Sequence, residues 1–495
     1  MERWIGFIMA AASSIAMIGC SDLSSGMSAG FDGDFGATPG GVKDMGFARD
    51  LVKNGKVPPP EAFLVEAMFS EHDLPLEGAP CATLLCVRAA MGIAPNAEGE
   101  SAAWVQVGMS STIEPETFER PSMAIVATVD VSGSMSWSYG DGDGGTPAAI
   151  AHALLWNVAS HLDAKDRFAI VTYGSSVDTP LDWTQGDDPE IKEAISELSE
   201  DGSTNMEAGL VQAYDLAREA KGSADEVRVM LFTDAQPNVG ATGGGEFESL
   251  VAKGAADGVG ITVFGLGLGL GADLVNRMSH LRGANAFSLM DADDVGLFMQ
   301  DNWPWMATPI AHDLRLVAAP SPSLSLSQAY GFPTGEAGAT SIASLDVASV
   351  FLSKRKGALL LSLTPASPEE LAGAKVDISL DYVDRSGEPV TSSLSTSYEG
   401  EALGERGVFM PQASVDKTVA LALLVQAMHD AAQDYSLDRA AALATLEPAL
   451  ARFAADAAAI GDAGIDAEAA FWPALLDLMK EDAPQGDFYG DFSGD

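Results

Sequence analysis

Residues 123–135 read MAIVATVDVSGSM, an apolar run that ends in an acidic residue and two serines. A short run without polar alternation is typical of a strand that is buried on both faces, as in a parallel sheet. In open α/β sheets the ligand crevice lies at the carboxyl ends of the strands. Asp130, Ser132 and Ser134 are therefore predicted at the edge of the sheet where ligands bind.

The surrounding residues 122–303 alternate short apolar runs with helical patterns. The runs cover residues 123–130, 168–173, 228–232 and 261–266. The helical patterns cover residues 147–162, 189–198, 206–220, 247–256, 273–282 and 293–303. This alternation predicts an α/β fold with a doubly wound, mostly parallel sheet, in which residues 177–183 could form an antiparallel edge strand.

Two further segments bring oxygen-bearing side chains to the same edge. The run at 228–232 is followed directly by Thr233 and Asp234, and the turn at 201–205 places Thr204 near the start of the next helix. Asp130, Ser132, Ser134, Thr204 and Asp234 offer two carboxylates and three hydroxyls.

Such hard oxygen ligands favour Mg²⁺, with Mn²⁺ or Ca²⁺ as alternatives, and disfavour Zn²⁺ and Cu²⁺. Because Mg²⁺ prefers roughly six oxygens, the five side chains leave a coordination position for an outside ligand.

The motifs DVSGS (130–134), GSTN (202–205) and LFTDA (231–235) together resemble the metal-ion-dependent adhesion site of von Willebrand factor A (VWA) domains, including integrin inserted domains. The segments AKDRFAIVTY (164–173) and DAQPNVG (234–240) are similar to the bacterial extracellular branch of that family. The resemblance covers about residues 121–305.

The resemblance implies that Ser132, Ser134 and Thr204 are hydroxyl ligands, and that Asp130 and Asp234 act as carboxylates, often through water. It also implies that a carboxylate of a partner protein completes the metal shell. The alternative is that Asp130 and Ser132 only satisfy a loop that binds no metal.

Residues 136–146, SWSYGDGDGGT, look like an insertion at the rim of this site. Asp141 and Asp143 have the character of a Ca²⁺ loop, but no glutamate follows at the expected offset. The segment is therefore predicted to be a mobile rim loop. In the functional alternative, Trp137 and Tyr139 contact the partner, because aromatic side chains often anchor interfaces.

The N-terminus indicates export. Residues 4–17 are mostly apolar and uncharged, too short to span a bilayer, and are followed by Cys20. The stretch MIGC (17–20) resembles the lipobox of bacterial lipoproteins, which implies a signal peptide at 1–19 and a lipid on Cys20. Ser21 then favours the outer membrane of a Gram-negative bacterium by the enterobacterial sorting rule. The alternative is an ordinary secretory signal that is cut elsewhere.

The flanks are predicted as separate regions. Residues 20–60 are rich in Gly, Ser, Asp and Pro and are predicted to be a flexible tether, and residues 481–495 a disordered acidic tail. Residues 61–120 hold Cys81 and Cys86, a predicted disulfide pair, and a strand at 104–113 that could join a later β module. Residues 309–400 predict an all-β, sandwich-like module, and residues 413–480 about three helices.

The chain has 27 Lys and Arg against 71 Asp and Glu, a formal net charge of −44. This charge excludes nucleic acid as a partner, and leaves a lipid anchor as the route to a membrane. The prediction is metal-dependent protein binding or adhesion at the cell envelope, and not an enzyme, because no general base or phosphate loop is evident. The alternatives are a structural envelope protein with a stabilising metal and a metal-dependent hydrolase.

Overall fold

The computed structural model describes residues 36–38, 45–114, 118–137, 145–199, 202–234, 244–267, 281–289, 291–331, 342–353, 356–404 and 406–486. The strands of these ranges are β1 Gly36–Thr38, β2 Leu85–Pro95, β3 Ser101–Ser111, β4 Met123–Asp130, β5 Arg167–Tyr173, β6 Val177–Gln185, β7 Glu226–Thr233, β8 Val259–Leu266, β9 Ala284–Leu289, β10 Pro309–Pro320, β11 Leu324–Tyr330, β12 Ala343–Ser353, β13 Leu359–Pro365, β14 Ala374–Asp384 and β15 Pro389–Tyr398. The α-helices are α1 Gly46–Lys53, α2 Val65–Glu71, α3 Pro147–His161, α4 Glu190–Ser196, α5 Met206–Glu219, α6 Gly244–Ala256, α7 Val295–Met306, α8 Ala413–Tyr435, α9 Arg439–Ile460, α10 Ala463–Phe471 and α11 Pro473–Lys480.

Strands β4 to β9 form one six-stranded sheet in the order β6-β5-β4-β7-β8-β9. All neighbours are parallel except β6, which is antiparallel to β5. Helices cover both faces, so alternate residues of β4 enter two different cores: Ile125 faces the core with α3 and α7, and Val126 the core with α5 and α6. This confirms the predicted α/β fold with a mostly parallel, doubly wound sheet.

The helices that follow β4 and the loop at 202–205 begin at defined capping residues. The Thr146 side chain accepts a hydrogen bond from the N–H of Ala149, with Pro147 in the first turn. Asn205 accepts one from the N–H of Ala208 at the start of α5. Such caps satisfy amides that have no partner within the helix, and so fix where each connecting loop ends.

The remaining strands form a nine-stranded antiparallel sheet that folds into a sandwich. One half has the order β2-β3-β13-β11, the other β12-β10-β14-β15, and β1 joins β3 to β12. Val105 of β3 and Leu316 of β10 belong to one apolar core shared by the two halves. Since β3 precedes and β10 follows strands β4 to β9, the α/β domain is inserted into the sandwich.

The helical region lies on the outer face of the half-sandwich that contains β3. Trp104, which neighbours Val105 in sequence, belongs to a core that also contains residues of α1, α2 and the C-terminal helices. Cys81, in the segment before β2, forms a disulfide with Cys86, the second residue of that strand. The helical region has four helices, α8 to α11, where the sequence predicted about three.

The flexible tether predicted for residues 20–60 is wrong for residues 45–60. Met45, which directly precedes α1, and Ala48 within it are completely buried, and Val52 on the same helix is nearly so. Their spacing gives this short helix an apolar stripe, which outweighs its Gly- and Asp-rich neighbours. The disordered tail predicted for 481–495 also begins too early, because the N–H of Gly486 donates to the carbonyl of Val57.

Several predictions fall outside the described residues, among them the signal peptide and Cys20, most of the helix at 273–282, and the end of the acidic tail. Within the described ranges, no helix combines the length and apolar character needed to cross a bilayer.

The sandwich meets the inserted domain at the amino ends of its strands. The N–H of Gly283, just before β9, donates to Ser349 of β12 at 2.7 Å. The guanidinium of Arg228, near the start of β7, lies 5.4 Å from the ring of Phe351 on β12. The carboxyl ends of β4 and β7 therefore lie at the end of the sheet that is opposite to these sandwich contacts.

Candidate metal site

Asp130 occupies a fixed position at the carboxyl end of β4. Its side chain is 1% exposed, and its two oxygens have different partners. Oδ1 accepts the N–H of Ser132 at 2.9 Å, and Oδ2 accepts the hydroxyl of Thr233, the last residue of β7, at 3.1 Å. The carboxylate is thus held between its own loop and the neighbouring strand.

The two serines extend this polar cluster toward Asp234. The Ser132 and Ser134 hydroxyl oxygens are 3.1 Å apart, and Ser134 hydrogen-bonds to Asp234. A short 3-10 turn at Gly133–Ser136 holds Ser134 beside Ser132. Asp130, Ser132, Ser134 and Asp234 therefore form one connected set of oxygens drawn from two loops.

The third loop reaches the cluster through its backbone. The N–H of Gly133 donates to the carbonyl of Gly202 at 2.9 Å, two residues before Thr204. Gly202 has a φ of +72°, and a Cβ there would lie 1.8 Å from the Ser175 hydroxyl oxygen, so only glycine fits. Thr204 itself has an exposed side chain. The three loops that carry the five predicted donors are thus adjacent.

The raised pKa of Asp234 shows that its negative charge is poorly compensated by the described residues. Burial raises its pKa to about 6, the nearby charge of Asp130 adds to the effect, and the hydrogen bond from Ser134 opposes it. No positively charged side chain among the described residues contributes to that balance. A divalent cation between Asp130 and Asp234 would supply the charge that two neighbouring carboxylates lack.

The donor set fits a hard cation. In the described ranges no group of three or more His, Cys, Asp or Glu side chains has the spacing of a metal site. The oxygen cluster depends on hydroxyls as well as carboxylates, which suits Mg²⁺, Mn²⁺ or Ca²⁺ rather than Zn²⁺.

Open space adjoins the cluster. A cavity of about 320 Å³ lies beside Asp130, between the β4 loop and α3, and is lined mainly by apolar side chains such as Met135 and Leu155. A group from outside the chain can thus approach the loop that carries the carboxylate.

Of the two aromatic residues predicted at the rim, one is described. Trp137 follows the 3-10 turn, its N–H donates to the carbonyl of Ser134, and its side chain is 56% exposed. Tyr139 lies outside the described residues, as do Asp141 and Asp143. A partner contact by Trp137 or Tyr139 stays a prediction.

Sequence reasoning missed three residues that shape the cluster. Thr233 holds Asp130, Gly202 allows the close approach of the Thr204 loop, and Tyr173 lies opposite Asp130 in the β4–β5 register. A signal existed for Thr233, because it directly follows the apolar run at 228–232 and precedes Asp234. Tyr173 gave no such signal, because its role depends on strand register. Gly202 gave none beyond a turn, since its contact with Ser175 links residues distant in sequence.

Comparison with known proteins places this geometry in a known domain type. Residues 125–236 match the family described as von Willebrand factor type A domain. The chain is 29% identical over 225 residues to the uncharacterized protein YfbK of Escherichia coli (strain K12), covering 44% of this chain and 38% of that protein. It is 24% identical over 226 residues to inter-alpha-trypsin inhibitor heavy chain H1 of Mesocricetus auratus, covering 43% and 24% respectively. The chain thus spans less than half the length of these curated relatives.

Two solved structures are similar over most of the chain. The von Willebrand factor type A structure from Catenulispora acidiphila has a TM-score of 0.45 at 12% identity, covering 78% of this chain and 89% of that one. The ArnB paralog VWA2 from Sulfolobus acidocaldarius has a TM-score of 0.40 at 13% identity, covering 80% and 97%. The six-stranded, mostly parallel sheet includes the residues 125–236 that match the von Willebrand factor type A domain.

Proposed function

We propose that this chain binds a partner protein through a divalent cation held by Asp130, Ser132, Ser134, Thr204 and Asp234. The observation that carries the proposal is the pair of neighbouring carboxylates on Asp130 and Asp234. The backbone amide of Ser132 and the hydroxyls of Ser132 and Ser134 connect them, and no cationic side chain among the described residues acts on Asp234. Mg²⁺ is the cation that this donor set fits best, and Mn²⁺ or Ca²⁺ could replace it.

The five predicted ligands would contribute two kinds of oxygen to the cation. Ser132, Ser134 and Thr204 would offer neutral hydroxyl oxygens, and Asp130 and Asp234 would supply the negative charge, often through water. The cation supplies a Lewis-acidic position that attracts an anionic oxygen. A carboxylate of the partner is the group we expect there, although this chain carries a net charge of −44.

The negative charge of the chain should make partner binding depend strongly on the metal. Without the cation, a partner carboxylate would meet Asp130 and Asp234 in a negatively charged surface and be repelled. With the cation, the local charge is compensated and the anionic group gains a ligand bond. Binding should therefore disappear when the metal is removed, rather than weaken slightly.

For location, we propose a lipoprotein of the bacterial cell envelope that is anchored through Cys20, at the outer membrane or cell surface of a Gram-negative bacterium. This rests on the MIGC stretch and the apolar segment before it. We also propose that the chain is a binding protein and not an enzyme. The alternative of a structural protein with a stabilising metal differs in one respect, because it requires no partner capture.

A pull-down from envelope extract tests the proposal. The purified chain is incubated with extract in Mg²⁺ or in EDTA, beside the Asp130→Ala variant in Mg²⁺. We expect a partner only with the unchanged chain in Mg²⁺, while circular dichroism shows that the variant remains folded. Capture that persists in EDTA and in the variant would contradict metal-dependent binding. A metal-dependent melting shift without any captured protein would favour the structural alternative.

A further inference from the structure

Tyr173 lies directly beneath the candidate metal site. It ends β5, lies opposite Asp130 in the parallel register, and accepts the N–H of Val131 on its backbone carbonyl at 2.9 Å. Its side chain is completely buried under the first turns of α5. There a Cβ on Gly209 would lie 2.6 Å from the Tyr173 ring, so glycine makes room for the ring.

The hydroxyl of Tyr173 is unusual for a buried group. It makes no hydrogen bond of normal geometry within the described structure, although Thr233 and Asp130 lie close enough to act on it as weak hydrogen-bond partners. Buried hydroxyls are normally hydrogen-bonded, so one without a well-formed hydrogen bond requires an explanation. Of the residues that act on this hydroxyl, the Asp130 carboxylate has the largest electrostatic effect.

We propose that Tyr173 is a positioning residue of this site, whose hydroxyl donates a hydrogen bond to the Asp130 carboxylate when the cation is bound. The inference rests on the proposed function. Asp130 is held by Ser132 and Thr233, and its interaction with the Tyr173 hydroxyl falls short of a hydrogen bond of normal geometry.

This role for Tyr173 follows from what residues that hydrogen-bond to metal ligands usually do. A donor that hydrogen-bonds to a ligating carboxylate fixes its orientation, and loss of such a donor typically weakens metal affinity ~10–100-fold. Tyr173 is rigidly held by Gly209 and by the strand register, which suits this role.

The chain offers a matched control in Tyr214. This tyrosine lies on α5, is almost completely buried, and also has a hydroxyl without a hydrogen-bond partner in the described part of the chain. Its ring packs under Gly254, as that of Tyr173 does under Gly209. The charges that act on Tyr214 come from Arg228 and Arg218, and not from the acidic cluster.

The test compares Tyr173→Phe, Tyr214→Phe and Asp130→Asn with the unchanged full-length chain. Mn²⁺ affinity is measured by isothermal titration calorimetry, and melting temperature with and without Mg²⁺. For Tyr173→Phe we expect Mn²⁺ to bind about tenfold more weakly and the melting shift on Mg²⁺ addition to shrink. Without metal, the melting temperature should stay equal or rise, since an unpartnered buried hydroxyl is removed. Tyr214→Phe should leave both metal measurements unchanged.

The outcomes separate this inference from the site itself. If Asp130→Asn abolishes Mn²⁺ binding while Tyr173→Phe binds like the unchanged chain, the inference is overturned and the metal site stands. If Tyr173→Phe lowers the melting temperature equally with and without Mg²⁺, the tyrosine is merely structural and the inference is likewise overturned. If the unchanged chain binds no Mn²⁺, both proposals fail.

Discussion

The two ends of the six-stranded sheet both bury charged side chains, and they satisfy them differently. At the amino end, Arg228 donates to the carbonyls of Ala307 and Ile261 and to the side chains of Thr262 and Asn285. At the carboxyl end, Asp130 and Asp234 lie close together, and the described residues give Asp234 no positive partner. The amino end satisfies its charge with acceptors of the chain itself, whereas no cationic side chain among the described residues acts on Asp234 at the carboxyl end.

The two ends therefore differ in how far the chain itself compensates their buried charge. Burial lowers the pKa of Arg228 to about 10, yet the guanidinium keeps several acceptors and stays charged at neutral pH. It also links the end of α7, through Ala307, to the sheet and to Phe351 of the sandwich. At the other end, burial and Asp130 raise the pKa of Asp234 to about 6, so the charges there are poorly compensated.

The largest expected effect on stability is at the amino end. Arg228→Met would leave the carbonyls of Ala307 and Ile261 and the amide oxygen of Asn285 without this donor in a buried place. We expect the free energy of unfolding to fall by about 3 kcal/mol in urea denaturation. Mn²⁺ affinity of the folded variant should not change.

The control for Arg228 is Arg315→Met, on the outer face of β10, where the side chain is 63% exposed. An exposed arginine should contribute less than about 1 kcal/mol. A loss as small for Arg228→Met as for Arg315→Met would contradict the structural role given to this end of the sheet.

An intermediate effect is expected at Asp166, also at the amino end. Burial alone would raise the pKa of this carboxyl, but hydrogen bonds from Arg120, from the amides of Asp163 and Met123, and the charge of Arg120 lower it below its ordinary value. The resulting stability is present above the unfolded-state pKa of about 3.9 and is lost as pH falls through the folded-state pKa. Asp166→Asn should cost about 2 kcal/mol at pH 7, and the difference should shrink below about pH 4.

Urea denaturation at pH 7, 5 and 3 checks this prediction. Asp163→Asn is the control, because Asp163 also lies near Arg120 but its side chain is 56% exposed. A difference between Asp166→Asn and the unchanged chain that is as large at pH 3 as at pH 7 would show that charge is not the source of the effect.

The smallest effect on stability is expected at the rim of the carboxyl end. Trp137→Ala removes a side chain that is 56% exposed, so the free energy of unfolding should change by less than about 0.5 kcal/mol. Mn²⁺ affinity should stay the same, while partner capture in Mg²⁺ should fall severalfold if Trp137 contacts the partner. The control is Trp156→Ala, because Trp156 is also exposed but lies on α3, and this variant should leave partner capture unchanged. Equal capture by both variants would exclude Trp137 from the interface.

The sequence predicts the two ends of the sheet unequally. The carboxyl end was accessible because DVSGS and LFTDA each follow an apolar strand, and parallel strands bring their carboxyl ends to one edge. Arg228 was not, because a single arginine within the run VRVMLF gives no sign of the acceptors that surround it. Those acceptors come from β8, β9 and the residue after α7, which are distant in sequence.

The flanks show the same limit. The sequence alone does not decide whether the α/β domain is inserted into a sandwich, because the pairing of β3 with β13 decides it. Helix α1 was missed since its stripe of Met45, Ala48 and Val52 is short and its neighbours resemble a linker. Tyr173 was missed because its importance depends on strand register and on Gly209, and both arise only in the folded chain.

Crystals of the chain grown with Mn²⁺ and measured at the manganese absorption edge would show whether the three loops hold a cation. We expect one anomalous peak within about 2.0–2.6 Å of the Ser132 and Ser134 hydroxyl oxygens, bordered by Thr204, Asp130 and Asp234. The proposed site would be contradicted by an anomalous peak at another place in the chain. It would also be contradicted by the absence of a peak at saturating Mn²⁺ while the three loops keep their arrangement.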